Sequence, residues 1–204
     1  MQQNNALIIF TRDAVLGKVK TRLAKELGDV ATLKIYKRLL EHTKEVSRDI
    51  QATKFIFYTD SINTNDLWTT AYHKKEQKGS DIGLRMYNAI QEILNLGYKK
   101  VVLIGSDNME ITQTIIEEAF EKLENYKYVL GPALDGGYYL IGSKTNDKKL
   151  FLNKEWSTST VLENTLNDLK NVPYHLLKTL NDIDTIHDLE SSIQLKTYLK
   201  RKTQ

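Results

Sequence analysis

The chain has 204 residues, 41% of them apolar, and its 29 basic and 26 acidic residues leave a formal charge of +3. That suffices to close a substantial core over one ordinary domain, residues 1–204, and the mild, scattered charge argues against a nucleic-acid binder. The absence of cysteine excludes disulfides, thiolate zinc sites and cysteine nucleophiles, and His42, His73, His175 and His187 lack the spacing of zinc ligands.

The opening MQQNN is polar, and the apolar run after it is too short for a signal peptide or a membrane span, so a cytoplasmic location is expected. That run, ALIIF (6–10), reads as a buried strand. The turn after it, TRDAVLGKVKTRL, carries Arg12, the Gly17-Lys18 pair, Lys20 and Arg22. If 21–27 is a short helix stopped by Gly28, three of these cations lie at or just before its positive end, where the dipole disfavours them and an anion would reverse the penalty. A basic loop at the carboxyl end of a strand is a phosphate site in α/β proteins; a solvated basic turn is the alternative.

Leu33, Tyr36, Leu40 and Thr43 recur at helical spacing, and KFIFYTD follows as a strand. The polar KKEQKGSD (74–81) reads as a surface connection. In SDIGLRM, Asp81 is a helix cap, while Arg85 either reaches a phosphate or is a surface cation. Met86, Ile90, Ile93 and Leu94 form a helical stripe ending near Gly97, and VVLIG (101–105) has the continuous apolar character of a strand covered on both faces. A helix with Ile115, Ile116, Ala119 and Leu123 comes next, then strands at 128–130 and 138–141 and a second polar connection, KTNDKK (144–149). The last third reads as a helix over 161–169, a strand over 175–177, the turn NDIDT, and a helix with Ile186, Leu189 and Ile193 inward whose last turn is LKRKTQ. Such alternation predicts a mostly parallel sheet with right-handed crossovers.

The chain lacks GxxxxGK[ST], GxGxxG after the first strand, and GxSxG, which argues against P-loop nucleotidases, dinucleotide dehydrogenases and serine hydrolases. Carboxylates instead stand where strands end: Asp107, Asp135, Asp182 and Asp184. In an open α/β sheet those ends share one crevice. Magnesium takes one or two carboxylates plus substrate phosphates, so a basic loop facing them suggests a metal-bound diphosphate. Each Asp, taken alone, is also readable as a cap or turn residue. In GPALDGGYYLIG, Gly136 and Gly137 suggest a substrate passing close over the backbone or a glycine-rich turn, and Tyr138 and Tyr139 point to opposite sheet faces, so at most one should meet the crevice. Trp156, before Ser157-Thr158, either stacks on a base or sugar or fills the core.

Taken in order, FTRDAVLGKVKTRL, SDIGLRM, VVLIGSD, GPALDGGYYLIG, WST and DIDTIHDL resemble a bacterial family of small glycosyltransferase-A-like proteins, some named as arsenosugar-biosynthesis glycosyltransferases. The resemblance spans nearly the whole chain. It extends more weakly to nucleotidyltransferases such as 2-phospholactate guanylyltransferase and the molybdenum-cofactor guanylyltransferase, which share the basic first loop and a late Asp-x-Asp-Thr turn.

The resemblance implies a three-layer α/β/α, Rossmann-like nucleotide-diphospho-sugar transferase (GT-A) fold with a mostly parallel sheet. It places Lys18, Lys20 and Arg22 near the diphosphate and Asp107 near a metal. The chain departs from the family at Asn108-Met109, where Cys-Pro is usual after the Asp, at Ala14-Val15, where the family has a loop proline, and at Leu84, where an acidic residue is usual. It also lacks a central Asp-x-Asp.

The expectation is a transferase with a nucleotide-sugar donor, a small-molecule acceptor and magnesium or manganese held by Asp107 and Asp184. Asp135 is the expected base, and Arg12, Gly17, Lys18, Lys20, Arg22, Arg85, Gly136, Gly137 and Trp156 are the expected substrate-binding residues. Nucleotidyl transfer from a nucleoside triphosphate and a non-catalytic nucleotide-binding module are the alternatives.

Overall fold

The computed structural model describes residues 4–195. Seven strands form one sheet: β1 (Asn5–Thr11), β2 (Thr53–Tyr58), β3 (Tyr72–Glu76), β4 (Lys100–Ile104), β5 (Tyr128–Pro132), β6 (Tyr138–Ser143) and β7 (Tyr174–Leu176). Their order is β3-β2-β1-β4-β6-β5-β7, with β6 antiparallel to both neighbours and every other pairing parallel. The central strands are buried on both faces. Along β1, Leu7 and Ile9 enter one apolar cluster while Ala6, Ile8 and Phe10 enter the other, as the twofold alternation of a strand requires.

Helices cover both faces. On one lie α1 (Thr21–Leu27), α2 (Asp29–Ser47), α4 (Gln113–Lys122) and α6 (Ile186–Ser191); on the other lie α3 (Ile82–Asn95) and α5 (Val161–Asp168). In α3, Met86, Ala89, Ile90 and Ile93 are buried at three- and four-residue spacing, and Asp81 caps the helix by accepting from the Leu84 amide. The three-layer α/β/α architecture is therefore the expected one.

Three local expectations are corrected. Tyr72–Glu76 is a strand paired in parallel with β2, so Lys74, Lys75 and Glu76 belong to the sheet rather than to a loop. The strand lies at the sheet edge, where polar residues are tolerated. Ile193 is 82% exposed, because α6 ends at Ser191 and the stripe no longer turns inward beyond it. The late strand is Tyr174–Leu176, one residue earlier than expected. The LKRKTQ turn lies outside the described residues, as do the first three residues of MQQNN. Among the described residues, no helix is long and apolar enough to cross a membrane.

Candidate functional site

The chain runs from β1 outward to β2 and β3, then returns to place β4 on the other side of β1. This is the topological switch of the sheet, and a crevice opens at the strands' carboxyl ends there, as the doubly wound geometry dictates. The crevice has two halves. The first, about 480 Å³, is lined by Arg12, Lys20, Arg22, Thr59, Gln77, Arg85 and Ser106 among others. The second, about 290 Å³, is lined by Asp135, Gly137, Tyr138, Tyr139, Trp156, Ser157 and Asp182 among others. Phe10, Ile82, Gly105, Asp107 and Asp184 line both halves and so mark the boundary.

Lys20 sits at that boundary. Its Nζ donates to Asp107 Oδ2 at 2.8 Å and to Asp184 Oδ1 at 2.5 Å, while Arg22 Nη2 reaches Asp184 Oδ2 at 3.3 Å. The Lys20 side chain is only 8% exposed, whereas Asp107 keeps 39% and Asp184 34%. Burial works against the ammonium, but the charges and hydrogen bonds of Asp107 and Asp184 outweigh it, so Lys20 is driven upward and stays charged. Burial likewise opposes ionisation of Asp107, and the Lys20 charge overcomes it, holding this carboxyl below its ordinary value.

Lys20 also adopts a left-handed backbone (φ 45°) at the start of α1. Such a conformation costs a non-glycine residue on the order of 1 kcal/mol, and here it aims the ammonium into the crevice. The unfavourable helix-end charge of Lys20 is thus met by two aspartates of the chain itself, without an external anion.

The aspartates occupy these places for local reasons. Asp107 does not cap the helix after β4; Thr112 does so by accepting from the Ile115 amide. Asp184 is likewise free of capping, because Thr185 and Asp188 form a reciprocal capping box at α6. The buried Asn108, standing where Cys-Pro was expected, accepts from the amides of Glu110 and Ile111 and donates Nδ2 to Asp182 Oδ1 at 2.8 Å. Burial and then the Asp107 charge push the Asp182 carboxyl up to about 7, against the Asn108 hydrogen bond and Lys20, with Asp135 adding to the rise.

A carboxyl raised in this way holds a proton that the unfolded chain, near 3.8, has released. Its contribution to stability therefore falls as pH rises from about 4 to about 7. Asp182→Asn is expected to remove that slope: between about pH 5 and pH 8, the variant should lose roughly 2 kcal/mol less unfolding free energy than wild type in urea titrations. Equal losses would mean that Asp182 titrates in the ordinary range.

Of the other expected residues, Arg12, Arg22 and Arg85 line the first half, and Gly137 and Trp156 the second. Tyr36 Oη of α2 holds the Arg12 backbone through both its amide and its carbonyl, fixing the exit of β1. Gly17, Lys18 and Gly136 line neither half; Lys18 is exposed, its carbonyl accepting from Arg12 Nη1 at 3.3 Å.

The close approach expected at Gly136 exists, but to the protein itself. At φ 88°, a β-carbon there would overlap the backbone carbonyl of Ser159. Gly136→Ala is therefore expected to destabilise the fold by on the order of 2–3 kcal/mol, measurable by chemical denaturation, since positive φ and backbone overlap act together. A change below about 0.5 kcal/mol would contradict this packing.

Both tyrosines meet the second half, which corrects the expectation of at most one, although they pack into opposite faces: Tyr139 Oη donates to the Lys178 carbonyl, while Tyr138 packs edge-on against Trp156. Trp156 is half-buried: it packs against the apolar core and also lines the second half. Gly83 makes room for it, since a β-carbon there would strike the indole Nε1.

Thr59 and Gln77 carry no motif, while Ser106 within VVLIGSD and Asp182 in the NDIDT turn stand in expected segments without an expected binding role. Gln77 is held by donation to the Phe57 carbonyl at 2.9 Å, a contact set by the β2–β3 pairing that sequence reading had not found.

Asp107 and Asp184 suit a magnesium-type ion in donor type, because such an ion completes its shell from phosphate oxygens and water. The Lys20 ammonium occupies the point on which they converge, and among the described residues no group of three or more Asp, Glu or His is arranged to hold a metal.

Residues 42–158 match the family described as "Uncharacterized protein conserved in bacteria (DUF2064)". Among solved structures, the "putative nucleotide-diphospho-sugar transferase" from Desulfovibrio desulfuricans G20 superposes with a TM-score of 0.88 at 26% identity, covering 99% of this chain and 96% of its own. The inositol-1-phosphate CTP transferase from T. maritima gives 0.59 at 14% identity, covering 98% and 96%. A cytidylyltransferase from Leptospira borgpetersenii serovar Hardjo-bovis (strain JB197) gives 0.57 at 14%, covering 99% and 95%. The last two share the fold. No curated protein matches.

Proposed function

We propose that this chain, which belongs to the bacterial family DUF2064, is a nucleotide-utilising transferase whose donor is a nucleotide-diphospho-sugar. The observation that carries the reading is the buried Lys20 ammonium at the switch point, flanked in the first half by Arg12, Arg22 and Arg85. Cations fixed before the reaction stabilise charge that develops on a leaving diphosphate without reorganising. The likeness to the Desulfovibrio protein supports the same donor class.

In this reading the diphosphate lies in the first half, the sugar extends across the boundary, and the acceptor occupies the second. Asp135 is the proton acceptor: its Oδ1 takes the Gly137 amide at 2.8 Å, which orients the carboxylate on the wall of the second half. Asp107 and Asp184 would hold magnesium or manganese only once the Lys20 ammonium turns from them to the diphosphate, and the ion would then add positive charge there. Nucleotidyl transfer from a nucleoside triphosphate is the second reading, favoured by the fold shared with the T. maritima and Leptospira proteins.

A thermal-shift panel of nucleoside triphosphates, diphosphates and diphospho-sugars, each with and without magnesium or manganese, separates the readings. A ligand at about 100 times its Kd stabilises the native state by about 2.7 kcal/mol. The largest shift is expected with one diphospho-sugar and the metal. A larger shift with a triphosphate would favour nucleotidyl transfer, and no shift with any nucleotide would overturn both.

A further inference from the structure

We propose that the second half of the crevice selects an acceptor free of anionic groups, a neutral or amine-bearing polyol, and rejects phosphorylated acceptors. This deepens the transferase reading above and rests on it. The two halves differ in charge. The first is lined by Lys20, Arg12, Arg22 and Arg85, whereas among the described residues no lysine, arginine or histidine lines the second. Its wall carries Asp135 and Asp182, and the boundary adds Asp107 and Asp184.

Lys20 is committed to the two boundary aspartates, and among the described residues neither Asp135 nor Asp182 forms an ion pair. A phosphate brought there meets the Asp135 carboxylate in a half-enclosed space, joined by Asp182 once that carboxyl has lost its proton, and exchanges its water for no cation, so specificity arises from repulsion as much as attraction. Hydroxyl and ammonium groups carry donors that carboxylates accept.

A feature outside the acidic residues also points to a ligand. Tyr138 lines this half, with its hydroxyl buried away from the cavity. Beside it, the half-buried Trp156 presents an indole at the same cavity, and an aromatic surface next to carboxylates suits a sugar ring or an organic cation. A cavity of about 290 Å³ has room for one such ring.

The chain has two tryptophans, Trp68 and Trp156, so indole-¹⁵N labelling of the full chain gives a reporter in the second half, assigned with Trp156→Phe. Glucose, glucosamine and glucose 6-phosphate are titrated separately with pyrophosphate present to fill the first half. The expected result is that glucose and glucosamine move the Trp156 signal, while glucose 6-phosphate requires at least about tenfold higher concentration, a gap that narrows with added salt. Glucose 6-phosphate moving the signal at equal or lower concentration overturns the proposal, and so does failure of all three sugars. If the ranking holds while the nucleotide panel gives no thermal shift, the transferase reading falls and the preference for non-anionic sugars stands.

Discussion

Exchange of Lys20 for methionine is expected to lower transfer about 10²–10³-fold and to weaken donor affinity by on the order of 10- to 100-fold. Methionine keeps most of the side-chain volume but removes the charge on which Asp107 and Asp184 converge. The two carboxylates are then left facing each other, so a stability loss on the order of 1–3 kcal/mol accompanies the change. Activity and affinity must therefore be compared at equal folded concentration. Calorimetric titration with the diphospho-sugar that gives the largest thermal shift supplies the affinity. Arg22→Ala provides the contrast, because the Arg22 side chain is 69% exposed and its pairing with Asp184 is screened by solvent. A several-fold effect is expected there. Unchanged affinity and turnover in Lys20→Met would remove the diphosphate from this loop.

Replacement of Asp135 by asparagine is expected to preserve donor binding while lowering turnover by ~10²–10⁴-fold, the usual range for a general base. Asparagine retains an Oδ1 that can still accept from the Gly137 amide, so the turn keeps its form. If Asp135 serves only the turn, its loss will show in stability and leave turnover per folded molecule unchanged. Transfer to an acceptor is the decisive assay, and hydrolysis of the donor is the first available one. A variant that retains transfer would pass the role of base to another carboxylate of the second half, where Asp182 is the neighbour to replace next.

Much of the fold was legible in the chain because its determinants are local. Alternation in ALIIF, the three- and four-residue stripe of α3, and the Asp81 cap depend on residues a few positions apart. Where local pattern and tertiary context diverged, reading failed for identifiable reasons. Residues 72–76 look like a polar loop because an edge strand needs few apolar side chains. Ile193 continues a helical stripe on paper, yet the helix has already ended.

The carboxylates at strand ends and the cations of the first loop were visible as types of residue, determined by sequence alone. Their partnership was decided by the sheet order: Lys20 lies 87 positions from Asp107 and 164 from Asp184, and only the placement of β4 beside β1 brings the three together. The same holds for the unlike charge of the two halves. Composition shows a nearly balanced chain, and among the described residues folding sorts the lining so that basic side chains gather on one side of the switch point and Asp135 and Asp182 on the other. Charges in a cleft act over ångströms rather than over positions in a sequence, so what the crevice attracts or rejects is a property of the tertiary structure.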